Sequence, residues 1–387
     1  MSRLNPQIRH RGRIDLIEIG LAVLAVAFSL GVIGTVIVRR MSSRIGLIDM
    51  PGERKVHDKP IARSGGIAIF WAMGLPMLVG WLATFFMNAP PIRRLLPVSV
   101  IKYIPGVLFD RPLMLILFAA TLGIHLLGLI DDKMALTAMP KLLGQLFCAS
   151  LLVGLGELVE PGGFRILTML DKLMPGGFWL SAILSVLWIV LLTNAFNFMD
   201  NMDGLSAGVA IICAAMFLVA ALIHHQFFIG GLLLLYIGAA GGFLVFNFPP
   251  ASIFMGDGGS MVLGFFLGAL TIRTTFYAGQ GRWYTLLMPL IVTAIPIYDL
   301  LVVSIVRLRR GRSPMQGDTN HFSHRLTRHG FSKKGAVLVI YAASLACGLS
   351  APLLALVSST AAILVGVQTA AVLFIIAVLE RVGEHTK

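Results

Sequence analysis

Three groups of acids and amides in this chain have the make-up of a cation or phosphate site. Asp131-Asp132 closes an apolar run and is followed by Lys133 and then Lys141. Asn194, Asn197, Asp200 and Asp203 recur at every third position of Asn194-Ala-Phe-Asn197-Phe-Met-Asp200-Asn-Met-Asp203-Gly204. Asp257 stands in Phe254-Met-Gly-Asp257-Gly-Gly-Ser260, after Asn247 and the helix-ending pair Pro249-Pro250. Carboxylate and amide oxygens are hard ligands suited to magnesium and also hydrogen-bond sugars and bases. Adjacent carboxylates repel each other unless a metal ion or a lysine relieves them. At a helix end the three-residue period predicts one polar stripe facing a common cavity. Four uncompensated polar side chains would be costly packing residues at a membrane edge. Helix capping competes as the account of Asp203 and of Asp257 taken singly. Phe254 either faces lipid or stacks on a base.

Cations accompany the acids. Arg54, Lys55, Lys59 and Arg63 fall within ten residues of one Pro- and Gly-containing loop, which ends at Gly65-Gly66. Such a cluster can neutralise a diphosphate, and the glycine pair at a helix mouth leaves N–H groups for an anion. For any single cation here, an ordinary basic loop is the simpler account. Between 307 and 334 lie Asp318, His321, His324 and Arg325. Two histidines three apart with an arginine suit a diphosphate clamp, whereas zinc would want a cysteine or a third close acid.

The elements that position these residues are apolar spans. The chain has 387 residues, 57% of them hydrophobic and 13% charged, with a mean hydropathy of +0.88. No water-soluble domain hides that much apolar surface. The sequence predicts an all-α polytopic membrane bundle of about eleven transmembrane helices in a single domain, 1–387. The spans are 16–38, 65–87, 112–130, 141–156, 179–196, 205–223, 228–246, 258–272, 284–306, 335–355 and 358–379. Most approach the ~20 residues that cross a bilayer; 141–156 and 258–272 are short. Within lipid the backbone must pair internally, hence helices. The apolar run behind Arg3, Arg9, Arg11 and Arg13 is too long for a signal peptide and reads as the first helix. Cys148, Cys213 and Cys347 fall within spans and read as small packing residues.

Alternation of the spans sorts the loops into two sets. Loops 39–64, 131–140, 197–204, 247–257, 307–334 and the tail share one side and, with Lys141, carry 19 of the 31 Lys and Arg. That bias assigns them to the cytoplasm, although the basic N-terminus argues the other way. Every acid and amide above lies in those loops or within a turn of them. The net charge of +13 is therefore topological, and nucleic acid is excluded as a partner. The loops 88–111 and 157–178 on the other side show no chemistry.

Taken in order, the RKVH…GG loop, the Asp-Asp pair, NAFNFMDNMDGL, IFMGDGGS and DTNHFSHRL resemble the polyprenyl-phosphate N-acetylhexosamine-1-phosphate transferases over about residues 45–330. The first loop is similar to the branch that uses UDP-N-acetylglucosamine. The resemblance implies a magnesium-dependent (alternatively manganese) transfer of sugar-1-phosphate from UDP-sugar to undecaprenyl phosphate, with release of UMP. It implies a multi-pass protein of the bacterial inner membrane with a cytoplasmic site, and leaves a homodimer open. Residue by residue, it implies metal contacts at Asn197 and Asp257 and catalytic roles for Asp131, Asp132 and His321. Asp131 is the favoured base for the lipid phosphate. Expected substrate contacts are Lys59, Lys141, Asn194, Asp200, Asp203, Asn247, Phe254, His324 and Arg325. Many members carry His-x-His-His in the last loop; here the third position is Ser323. Two other readings compete. One is transfer of phospho-N-acetylmuramoyl-pentapeptide. The other is a secondary transporter, which would place its acids at the bilayer midplane between repeats.

Overall fold

The computed structural model describes residues 6–50, 60–274, 283–311, 313 and 321–382. The chain opens with α1 (Pro6–Ile45), followed by the two-residue strands β1 (Ile48–Asp49) and β2 (Ile61–Ala62), which pair antiparallel. Next come α2 (Gly65–Thr84), the short α3 (Pro90–Leu95) and α4 (Val98–Ile101), α5 (Ile104–Met134) and α6 (Ala138–Val159). The short α7 (Leu170–Leu173) leads to α8 (Gly177–Met199), α9 (Leu205–Ile223), α10 (Phe227–Asn247) and α11 (Asp257–Arg273). The rest comprises α12 (Met288–Val292), α13 (Ala294–Arg309), α14 (Phe322–Arg328), α15 (Lys333–Gly348) and α16 (Ser359–Val382).

Among the described residues, nine helices are long and apolar enough to cross a membrane. The pair Tyr284–Val292 and Ala294–Arg309, bent by 68°, has the length and composition of a tenth span when taken as one broken helix. Pro289 and Pro296 flank that bend, where each ring removes a backbone donor. The eleventh expected span, 258–272, is α11, a helix of only 17 residues. Two boundaries also differ. The helix expected at 112–130 begins at Ile104 and carries Pro112 inside it. The short span 141–156 is a 22-residue helix.

The short helix α11 is the pillar of the bundle. Every residue from Gly258 to Thr271 is buried, and α2, α5, α8, α9 and α10 pack around it. Helices in lipid gain little from the hydrophobic effect and associate through close packing, which small residues allow. Gly128 on α5 shows this: a Cβ there would stand 2.5 Å from the Asp257 carbonyl oxygen. A Cβ on Gly66 would fall on the Gly259 backbone nitrogen. These two contacts bring α2 and α5 against the start of α11. By contrast, α1 and α16 lie outermost, with 17% and 11% of their apolar windows buried.

At the bundle end holding loops 88–111 and 157–178, two arginines tie the chain together. Arg165 bonds both Glu157 and Asp171, and Arg273 bonds Asp110 and Glu160. The acids and amides of the Asp131-Asp132, Asn194–Asp203 and Asp257 motifs lie toward the other end.

Candidate active site

The site is built where the last turn of α5 meets the first turn of α11. Asp132, whose side chain is 1% exposed, accepts hydrogen bonds from the backbone N–H of Asp257 at 2.8 Å and of Gly258 at 2.9 Å. A helix start leaves its first N–H groups without intrahelical partners, and here a carboxylate from another helix supplies them. Two turns back along α5, His125 Nδ1 lies 2.8 Å from the Gly258 carbonyl oxygen. Gly256, at φ 72°, turns the chain into α11 in the left-handed region that glycine tolerates.

Two cations stitch the acids together. Arg63 Nε is 3.0 Å from Asp132 and its Nη2 is 3.6 Å from Asp257. Lys141 Nζ is 2.8 Å from Asp131 and makes a short contact with Asp257. Asp131 also accepts the Leu136 N–H at 2.7 Å. From α8, Asn197 Nδ2 donates to Asp257 at 3.1 Å and to Ser260 at 2.9 Å. Asp131, Asp132, Lys141, Asn197 and Asp257, distant in sequence, thus form one charge cluster together with Arg63.

The cluster opens onto a cavity of about 590 Å³ whose lining includes Asp49, Arg63, Asp200, Asp203, Asn247, Phe254, Asp257, His324 and Lys333. The backbone of its wall is held by side chains. Asn247 accepts the Gly204 N–H and donates to the Ile253 carbonyl. Asp203 accepts the Ala251 N–H at 3.0 Å. Phe254 is held by backbone bonds to Ala62 and Gly65.

Charge in the cavity is unevenly compensated. Burial, then the neighbouring Asp257, push the Asp200 carboxyl up to about 8; Arg63 opposes this, and Asp132 and Asp203 add to it. Burial alone would lower the Arg63 guanidinium, but Asp132, Asp257 and Asp200 outweigh it and raise it. Burial, with His321 and Arg328 nearby, lowers His324.

The expected polar stripe is split. The helix α8 ends at Met199, so Asp200 and Asp203 sit on the following turn and face the cavity. Asn194 lies deeper, its Nδ2 bonded to Gln145 at 2.6 Å. The N-cap positions of α9 and α11 are Gly204 and Gly256, so neither Asp203 nor Asp257 takes the capping role weighed above. His321 is 5% exposed and lies behind the cavity wall, bonded to Asp299 at 2.9 Å. Arg325, also buried, bonds Glu380 at 2.7 Å. Lys59 and Asp318 lie outside the described residues. The sequence reading assigned Arg63 no role of its own beyond the four-cation cluster, and it did not single out Asp299 or Glu380. Arg63 had a signal, standing two residues before Gly65-Gly66. Asp299, a lone acid within an apolar span, was a weaker one.

Residues 114–275 match the family described as Glycosyl transferase family 4. A Bacillus subtilis protein named "Probable undecaprenyl-phosphate N-acetylglucosaminyl 1-phosphate transferase" is 34% identical over 307 residues, covering 79% of this chain and 77% of its own length. The decaprenyl-phosphate N-acetylglucosaminephosphotransferase of Mycobacterium tuberculosis is 35% identical over 331 residues, 79% of this chain and 74% of that one. The undecaprenyl-phosphate alpha-N-acetylglucosaminyl 1-phosphate transferase of Escherichia coli K12 is 28% identical over 316 residues, 79% and 76% of the two chains. With this likeness extending over most of both chains, and a charge cluster built from the sequence's own acidic motifs, the chain belongs to glycosyl transferase family 4, among the polyprenyl-phosphate N-acetylglucosamine-1-phosphate transferases.

Proposed function

We propose that the protein transfers N-acetylglucosamine-1-phosphate from UDP-N-acetylglucosamine to undecaprenyl phosphate. A phosphate oxygen of the lipid attacks the β-phosphorus, the bond from that phosphorus to the bridging oxygen breaks, and UMP leaves. The product is the lipid-linked first intermediate of a cell-envelope polysaccharide. The observation that carries this reading is the convergence of Asp131, Asp132, Asn197 and Asp257 with Arg63 and Lys141 beside one cavity of an apolar bundle. Phosphoryl transfer asks a protein mainly for positioning and for neutralisation of phosphate charge. Lys141 and Arg63 stand where they can exchange carboxylate partners for diphosphate oxygens. Asp131, freed from Lys141 by that exchange, is the candidate to take a proton from the lipid phosphate. Phe254 and Asp203 on the cavity wall suit a uracil ring and its ribose.

Magnesium fits the donor set. Among the described residues, the half-buried Asp200 carboxylate has no hydrogen-bond or ion-pair partner, and it is close enough to Asp257 to be raised by it. Asn197 uses its Nδ2 on Asp257 and Ser260, which leaves its amide oxygen for another partner. Among the described residues no three His, Cys, Asp or Glu side chains form a ready chelate. Magnesium does not require one, because it keeps several waters and takes few protein oxygens. When bound at Asn197, Asp200 and Asp257, the ion would neutralise the diphosphate.

We place the protein in the bacterial inner membrane with this site at the cytoplasmic face, as the 19 of 31 Lys and Arg on that side suggest. The test is a donor panel on purified protein with undecaprenyl phosphate and magnesium. UMP release from UDP-N-acetylglucosamine supports the reading. Turnover of UDP-N-acetylmuramoyl-pentapeptide alone would replace it.

A further inference from the structure

The last loop returns to the cavity as α14, and its anchoring separates two histidines that the sequence treats alike. Asp299, 2% exposed on α13, uses both carboxylate oxygens on this segment. Its Oδ2 is 2.9 Å from His321 Nδ1, and its Oδ1 accepts the Phe322 N–H at 2.7 Å. On the other side of the ring, His321 Nε2 lies 3.4 Å from Arg307 Nη2. The Arg307 guanidinium lies 5.0 Å from the Phe198 ring centroid, and Phe198 follows Asn197 on α8. Further along α14, Ser323 donates to Asn201 and Arg325 bonds Glu380. His324, by contrast, lines the cavity.

The proton arrangement follows from donors and acceptors. A carboxylate only accepts, so Nδ1 of His321 carries a hydrogen. A guanidinium only donates, so Nε2 offers its lone pair. A second ring proton would set two donors against each other, with both groups buried. We propose that Asp299 is a positioning residue. It holds His321 as the neutral Nδ1–H tautomer, and through His321 and the Phe322 N–H it fixes α14 so that His324 meets the substrate. His321 then performs no proton transfer. Its place is that of a hydrogen-bonded spacer between Asp299 and Arg307. Which ring nitrogen of a histidine carries the proton is set by the hydrogen bond the other makes, and here Asp299 and Arg307 together make that choice.

The kinetic part of this inference rests on the transferase reading; the spectroscopic part does not. Asparagine can place its amide N–H where His321 Nδ1–H stands, but it has no ring to titrate. His321→Asn is therefore expected to keep at least about a tenth of wild-type kcat. His321→Ala, which leaves Asp299 without its donor, is expected to fall to about a hundredth or below, within the range that a misplaced catalytic group costs. Independently, the full-length protein labelled with ¹⁵N-histidine is examined by NMR, with the His321 signals assigned by their loss in His321→Asn. The expected signature is a neutral ring protonated at Nδ1 that changes in Asp299→Asn. An Nε2–H or doubly protonated His321 in the wild-type protein overturns the proposal. So does His321→Asn that melts like wild type yet is as inactive as His321→Ala. Absence of UMP release from the wild-type protein would count against the transferase reading and leave the NMR test standing.

Discussion

Replacing Asp200 by asparagine should raise stability and lower activity together. In the folded chain this carboxyl is pushed up to about 8 by burial and by its acidic neighbours, against about 3.9 when solvated. A carboxyl raised on folding is protonated in the fold while it ionises in the unfolded chain. It therefore lowers stability progressively as pH rises from about 4 to about 8, and by a constant amount beyond that. At pH 7 the gap of roughly three pH units corresponds to a ceiling of about 4 kcal/mol. Asp200 lines a cavity that admits water, so about 1–2 kcal/mol is the reasonable expectation. Asparagine keeps the shape and removes the titration. Asp200→Asn should melt a few degrees above wild type at pH 8 in metal-free buffer, with the difference vanishing towards pH 4. Magnesium should raise the wild-type melting temperature and not that of the variant. UMP release by the variant should fall by about 100-fold or more, the scale on which a lost charge stabiliser acts. The assays are thermal unfolding in detergent from pH 4 to 9, with and without magnesium, and UMP release. A variant that melts below wild type at pH 8, or that turns over normally, would refute the argument.

Other outcomes follow from the same geometry. Asp132→Ala removes two charge-assisted bonds to the start of α11 and the Arg63 partner; it should cost about 3–5 kcal/mol and abolish UMP release, as a melting curve beside the activity assay will read. Asp257→Ala should abolish release while the protein stays folded, since Lys141 keeps Asp131 and Arg63 keeps Asp132; size-exclusion profile and UMP assay test this. Gly128→Ala sets a Cβ 2.5 Å from the Asp257 carbonyl oxygen and should lose about 1–3 kcal/mol through overpacking, with kcat lowered more than KM raised. Chelation of divalent cations should stop UMP release, and magnesium should restore it.

Much of this protein was legible in its sequence because lipid imposes simple rules. Apolar length marked the helices, and alternation put Asp131-Asp132, Asn197 and Asp257 on one side, where the fold joins them. Boundaries were less legible where proline misleads: Pro112 lies within α5, while the bend between α12 and α13 falls inside what looked like one span. What pairs with what was least legible. Asp132 reads as a free acid at a helix end, but it serves the backbone of a helix 125 positions away. Arg325 reads as a phosphate ligand, but Glu380 holds it from beyond the motif region. Such pairings depend on how helices far apart in sequence are packed, and no local pattern records them.

The shortness of α11 has a bearing on depth. Its 17 residues extend about 26 Å at 1.5 Å each, less than the ~30 Å of a hydrocarbon layer. Its far end is pinned by Arg273 to Asp110 and Glu160. A helix of that length anchored at the far boundary of the hydrocarbon layer would end roughly 4 Å short of the near one, at Asp257. The isoprenoid partner can thus keep its chain among the acyl tails while its phosphate reaches the reacting atoms, and it is the water-borne sugar nucleotide that must sink to meet it.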